Sequence, residues 1–163
     1  MASDANATEE RVLAAVEERR RVVNDAIDDY LPMAKPERLY EASRYLLLAG
    51  GKRLRPTVSL LAAEALLDVE PMSESYTDFP TLTGDRIDIL AAGMSIEGIQ
   101  SFTLIHDDIM DDDALRRGVP AVHKEYDVDT AILAGDTLYS KAFEILTDTG
   151  ARPENGLRAT RKL

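Results

Sequence analysis

Five aspartates fall within residues 107–113, and two arginines follow them closely. The run reads Leu104-Ile105-His106-Asp107-Asp108-Ile109-Met110-Asp111-Asp112-Asp113-Ala114-Leu115-Arg116-Arg117-Gly118. Carboxylates are ionised at neutral pH unless their surroundings forbid it. Packed this closely they repel one another and call for a compensating cation. Mg²⁺ is a hard ion that binds through one or two carboxylates and completes its shell with water and phosphate oxygens. Arginine forks hold phosphate oxygens in a fixed geometry. Acid, metal and arginine together read as a diphosphate site. On a helix turning about 100° per residue, Asp107 and Asp111 lie about 40° apart and one turn from each other, with Asp108 about 100° round from Asp107. A solvated acidic helix end has the same pattern, so the flanking residues must decide.

A second cluster lies upstream, in Gly50-Gly51-Lys52-Arg53-Leu54-Arg55-Pro56. A glycine pair between helices, with three cations beyond it, can present backbone N–H groups and positive charge to one anion. The alternative is an exposed turn between helices. The basic run Arg19-Arg20-Arg21 is read as a solvated helix face.

Helices must position both clusters. Residues 8–31 form an amphipathic pattern, with Thr8 an approximate N-cap and Pro32 the stop. Residues 36–49 predict a second helix, with Pro36 in its first turn and Gly50 and Gly51 ending it. Pro56 opens a third, to about Leu67, and residues 69–84 read as a loop. Residues 85–111 predict the longest helix. There Ile87, Leu90, Ala91, Met94, Gly98, Phe102, Ile105 and Ile109 recur mostly every three or four residues and face a core. Gly93 and Gly98 weaken that helix intrinsically and imply close packing against a neighbour. Residues 116–121 are a loop, residues 128–146 a further helix, and Pro153 starts another. No strand pattern emerges. Helices burying such stripes pack into bundles, with sites between facing helices.

Composition agrees. The 163 residues are 45% hydrophobic, which excludes general disorder and is enough for a core. Thirty acidic residues against 19 basic ones, net charge -11, disfavour nucleic acid and anionic membrane as partners. The absence of cysteine excludes disulfides and thiolate chemistry, and two histidines are too few for a histidine-rich metal centre. Residues 1–10 carry no signal-peptide pattern and no apolar run is long enough to span a membrane, so a soluble cytoplasmic protein is expected.

Taken together, the Gly50 to Pro56 motif, Glu97-Gly98-Ile99-Gln100, the acidic stretch, Arg116-Arg117-Gly118-Val119-Pro120-Ala121-Val122-His123 and Leu133-Ala134-Gly135-Asp136 resemble the trans-isoprenyl diphosphate synthases, also called polyprenyl synthetases. Order and spacing match over residues 46–143. The resemblance implies an all-α helical bundle of the isoprenoid synthase type, usually a homodimer. It implies a prenyltransferase that condenses isopentenyl diphosphate with an allylic diphosphate, using Mg²⁺. By resemblance Asp107, Asp108 and Asp111 form the first aspartate-rich motif, with Asp107 and Asp111 the main Mg²⁺ ligands. Arg116 would contact the allylic diphosphate. Lys52, Arg55, Gln100 and Arg117 would bind isopentenyl diphosphate. Thr103 and Phe102, four and five residues before the first aspartate, would help floor the tail pocket. One aromatic there is similar to the archaeal geranylgeranyl type, so a geranylgeranyl or farnesyl product is expected. An ideal helix puts Thr103 about 40° from the Asp107 direction but Phe102 about 140° away.

The chemistry of the residues agrees with that resemblance. Departure of diphosphate from an allylic carbon leaves a delocalised cation and builds negative charge on the leaving oxygens, which cations placed there stabilise. The second substrate's alkene must be held alongside. No serine, cysteine or histidine nucleophile is required. A phosphohydrolase centre built on the His106-Asp107 doublet needs further histidines upstream, and none precedes His106. His106 and His123 are read as structural. A terpene cyclase would share the acidic motif but would not need the Lys52 and Arg55 clamp.

Members of that family are much longer, and their second aspartate-rich motif falls beyond residue 163. Here Asp148 and Glu154 are isolated. Residues 1–163 are therefore expected to be one all-α domain, truncated, the N-terminal half of a longer synthase. The alternative is a catalytically incomplete partner that binds Mg²⁺ and diphosphate, or dimerises, without turnover.

Overall fold

A computed structural model describes residues 2–163, with side chains described from Asn6 onward. The described residues form eight helices and two short hairpins: α1 (Ala2–Asp25), α2 (Ile27–Tyr30), α3 (Glu37–Leu48), α4 (Leu54–Leu67), β1 (Phe79–Pro80), β2 (Arg86–Ile87), α5 (Ile89–Met110), β3 (Leu115–Arg116), β4 (Val119–Pro120), α6 (Val122–Glu125), α7 (Val128–Thr147) and α8 (Pro153–Thr160).

α5 is the central element, packed most extensively against α7 and next against α4. Asp88 caps it, its side chain accepting from Ala91 N at 2.8 Å and from the Tyr30 hydroxyl at 2.5 Å. The predicted stripe is the one that packs. Leu90, Ala91, Met94 and Ile105 are buried, and Phe102 and Ile109 pack against them. The two glycines act as spacing implied. A Cβ at Gly93 would lie 3.1 Å from Pro56 Cβ of α4, and one at Gly98 would lie 3.3 Å from Ala142 Cβ of α7. Small residues thus bring both neighbours close. Val23, Leu46, Leu47, Leu60, Met94, Ile105 and Leu138 are buried in the core between these helices, each contributing about 1.5–3 kcal/mol.

Several boundaries differ from the sequence reading. A turn at Ala26 divides the first helical segment into α1 and α2, and Thr8 lies inside α1 rather than at its cap. Leu31 leaves the helix because the following Pro32 disfavours helical backbone there. Pro36 is the extended N-cap of α3, not its first-turn residue. α4 begins two residues before Pro56, which still sits in the first turn, where its missing N–H has no intrahelical use. Residues 86–87 belong to a hairpin, Phe79 opposite Ile87, so α5 starts later than 85. The segment 115–120 is also a hairpin, Arg116 opposite Val119. Its turn residues Arg117 and Gly118 both have positive φ, 55° and 83°. That twist suits a two-residue hairpin, and two-residue strands are too short to leave an alternating pattern.

A buried polar knot joins α1 to α4. Arg19 donates from Nε and Nη2 to Glu64 Oε2 at 3.1 and 2.6 Å, while Tyr76 Oη (2.6 Å) and Met72 N (3.0 Å) donate to Oε1. Arg19, read as part of a solvated run, is 1% exposed. No helix of the described residues is long and apolar enough to cross a membrane.

Candidate active site

The acidic stretch closes α5. Asp107 and Asp108 lie in its last turn, Asp111 is the C-cap, and Asp112 and Asp113 lead into β3. The five carboxylates are not equivalent. Asp108 is fully buried, and its Oδ1 accepts from Arg116 Nε at 2.7 Å and from Arg116 Nη2. Arg116 Nη2 also reaches Asp113 at 2.9 Å. The hydrogen bond to Asp108 holds the Arg116 guanidinium above its ordinary pKa, against the opposing effect of desolvation. Asp112 pairs with Lys124 Nζ at 2.6 Å and stands 3.8 Å from His123 Nε2. Its carboxyl is held below the usual range, chiefly by the Lys124 hydrogen bond.

Asp107 and Asp111 are exposed, and neither has a side-chain hydrogen bond or ion pair with any described residue. They stand one turn apart at a helix C-terminus, where the backbone dipole itself favours a cation. No three acidic or histidine side chains among the described residues gather into a complete metal cage. This donor set suits Mg²⁺, which needs only one or two hard carboxylates and leaves the rest of its shell to water and phosphate.

The cationic turn also divides into free and engaged groups. Lys52 and Arg55 are exposed and Gln100 is half-buried, and none of the three side chains has a described partner. Arg53, between them, is 3% exposed. Its Nη1 donates to Glu97, its Nε to Asn24 Oδ1 at 2.9 Å, and its Nη2 to the Leu47 carbonyl. Arg117 Nη2 meets the same Glu97 oxygen at 3.3 Å, and its Nη1 donates to the Leu46 carbonyl at 2.9 Å and to the Gly50 carbonyl. Burial, with Arg53 nearby, lowers the Arg117 pKa despite Glu97. A Cβ at Gly51 would lie 3.0 Å from Arg117 Cζ, so a side chain at Gly51 would crowd that guanidinium. Sequence reasoning missed the roles of Arg53 and Glu97. The only signal was an arginine between two other cations and one acid within an apolar stripe.

Phe102 and His106 meet α7 from α5. The Phe102 ring centroid is 4.7 Å from His106 and 5.2 Å from Tyr139, which is 5.0 Å from Phe143. Thr103 is half-buried, its hydroxyl donating to the Gln100 carbonyl at 2.9 Å. His106 Nε2 lies 3.2 Å from the Ile132 carbonyl and 3.8 Å from Asp136 Oδ1. Its ring occupies the space beside Gly135, where a Cβ would come within 2.4 Å of Nε2. His106 therefore joins α5 to α7. His123 is buried, its ring nitrogens without hydrogen bonds to described groups.

Comparison with known proteins follows the same outline. The family model for polyprenyl synthetase matches residues 36–162. The chain is 67% identical over 154 residues to the geranylfarnesyl diphosphate synthase of Natronomonas pharaonis, covering 94% of this chain and 45% of that protein. It is 47% identical over 148 residues to the geranylgeranyl pyrophosphate synthase of Geoglobus acetivorans, covering 91% of this chain and 41% of that protein. Among solved structures, the Geoglobus acetivorans geranylgeranyl pyrophosphate synthetase matches with a TM-score of 0.75 at 46% identity, over 90% of this chain and 43% of that one. The geranylgeranyl pyrophosphate synthetase of Pyrococcus horikoshii matches with a TM-score of 0.76 at 37% identity, over 94% of this chain and 42% of that one. The chain thus spans less than half the length of these relatives.

Proposed function

The chain belongs to the polyprenyl synthetase family, and on that premise we propose that it supplies the aspartate-rich half of a prenyltransferase site. The reaction joins isopentenyl diphosphate to an allylic diphosphate and gives a short-chain prenyl diphosphate. The names of its relatives point to the geranylgeranyl or geranylfarnesyl class.

One observation carries this reading. Within the acidic stretch Asp108 and Asp113 pair with Arg116 and Asp112 pairs with Lys124, while Asp107 and Asp111, one turn apart, have no ion pair with a described residue. An acidic surface serving only solubility has no reason to divide in this way. Asp107 and Asp111 would hold Mg²⁺, which when bound offsets the negative charge that gathers on a departing diphosphate. Arg116, with Nε and Nη2 fixed by Asp108 and Asp113, keeps Nη1 for a phosphate oxygen of the allylic substrate. Lys52, Arg55 and Gln100 would hold isopentenyl diphosphate. Arg117 would join them through its remaining donors, since three of a guanidinium's five N–H groups already meet Leu46, Gly50 and Glu97.

With both substrates held, the allylic C–O bond breaks and diphosphate leaves with the electron pair. The isopentenyl double bond then supplies the electrons of the new C–C bond, and the released diphosphate takes the proton whose loss restores an alkene. The protein's share is placement and charge, with no covalent step through a side chain. The row Phe102, Tyr139, Phe143 supports a role for Phe102, with Thr103, in limiting the tail. Exposed Ile132, Leu133 and Tyr139 on α7 support association, as a homodimer.

The test is to incubate the protein with Mg²⁺, isopentenyl diphosphate and an allylic diphosphate and to identify prenyl products by mass spectrometry. The span of less than half the relatives' length favours a second reading, binding without turnover. Thermal stabilisation by Mg²⁺ with diphosphate but no product supports that second reading. Absence of both stabilisation and product overturns both.

A further inference from the structure

Glu97 is 4% exposed, midway along α5, and receives two guanidinium groups. Those groups, from Arg53 and Arg117, also donate to the carbonyls of Leu46, Leu47 and Gly50 at the end of α3. The last carbonyls of a helix lack intrahelical partners, and its dipole favours cations there. One carboxylate therefore ties the C-terminal end of α3, the glycine turn and the β3–β4 hairpin to α5. Arg53 has left-handed backbone, φ 49° and ψ 31°. A non-glycine residue resists that conformation by about 1–2 kcal/mol, so the buried contacts hold it. Lys52 precedes Arg53 directly and Arg55 follows by two, so the placement of both depends on it. Among the described residues, neither the Lys52 nor the Arg55 side chain has a hydrogen bond or ion pair that would fix it.

We infer that Glu97 and Arg53 are positioning residues for isopentenyl diphosphate: they lock the glycine turn so that Lys52 and Arg55 converge, without touching the substrate. This rests on the functional reading above. Replacing Glu97 by glutamine leaves the buried Arg53 guanidinium and the partly buried Arg117 guanidinium without their shared counter-charge. The turn then loosens, while Asp108 and Asp113 still hold Arg116 at the end of α5. The predicted effect is a selective loss.

Isothermal titration of the protein in Mg²⁺ with isopentenyl diphosphate, and separately with dimethylallyl diphosphate, tests it. Glu97→Gln and Arg53→Lys should each weaken isopentenyl diphosphate about 10–100-fold and leave the allylic diphosphate within about twofold. Lys52→Ala should weaken isopentenyl diphosphate without moving the melting temperature. Unchanged isopentenyl diphosphate affinity in either folded positioning variant overturns the inference. So does equal loss of both ligands, which marks a merely structural role. If circular dichroism shows Glu97→Gln unfolded, Arg53→Lys decides, because it keeps the charge and loses only the planar fork. Unfolding of both variants also overturns the inference, since the residues then hold the fold rather than the turn. Normal isopentenyl diphosphate binding by Lys52→Ala places the ligand elsewhere and overturns it too. If the unaltered protein binds neither ligand, the functional reading itself fails, and the inference fails with it.

Discussion

Arg116 closes on the buried carboxylate of Asp108, its Nε donating to Oδ1 at 2.7 Å across the turn that joins α5 to β3. The pair orders the two ends of the site against each other. It leaves Asp107, at the neighbouring position of the helix, without a hydrogen bond or ion pair to a described residue. It also decides which aspartates remain to hold an ion.

Asp107 and Asp111 are unpaired carboxylates near the negative end of a helix dipole, a placement that opposes stability. Asp107→Asn and Asp111→Asn should therefore leave the melting temperature without Mg²⁺ unchanged or raised. Each should abolish the further rise that Mg²⁺ with diphosphate produces, with helix content preserved by circular dichroism. A metal-dependent rise that persists in both variants removes these residues from the ion site.

Asp108→Asn should act in the opposite sense. It removes the buried partner of a guanidinium that is itself about one-third exposed. Breaking a buried pair costs about 3–5 kcal/mol, and partial solvation of Arg116 reduces that to about 2 kcal/mol. Urea denaturation should show the loss. An unchanged midpoint indicates that Arg116 finds another partner.

Gly135 leaves room for the His106 ring on the α7 side, a Cβ there meeting Nε2 at 2.4 Å. Gly135→Ala should destabilise the fold by about 1–3 kcal/mol through overpacking. Adding His106→Ala should recover part of that loss, since the obstructing ring is gone. A double-mutant cycle measures the coupling, and simple additivity excludes the clash.

Glu64 carries the pH dependence of the α1–α4 contact. Burial alone would raise its pKa, but the Met72 N–H, the Tyr76 hydroxyl and Arg19 outweigh burial and lower it. A carboxylate with a depressed folded pKa stabilises the protein fully above its unfolded value of about 4.3 and loses that contribution as pH falls through the folded value. Thermal melts taken downward from pH 6 should therefore show a decline below about pH 4.3 that Glu64→Gln lacks. The same decline in Glu64→Gln assigns the effect to other carboxylates.

Much of this was legible in the chain itself. The stripe through Leu90, Met94 and Ile105 marks α5 as a core helix, and Asp107 and Asp111 fall on one face of it. Helical spacing is local geometry, decided by residues three or four apart. The close approaches at Gly93 and Gly98 follow from the same pattern. Glycine-bounded cations beside a proline likewise marked the Lys52 turn. What separates a free carboxylate from a paired one, or Lys52 from the buried Arg53, has no local spacing. Arg53 and Glu97 are 44 positions apart, and Arg19 and Glu64 are 45. Such pairs exist only because the folded helices bring distant residues together and exclude water around them. Tertiary packing alone therefore decided that Asp108 would hold Arg116, that Glu97 would hold two arginines, and that Asp107 and Asp111 would be left without an ion pair among the described residues.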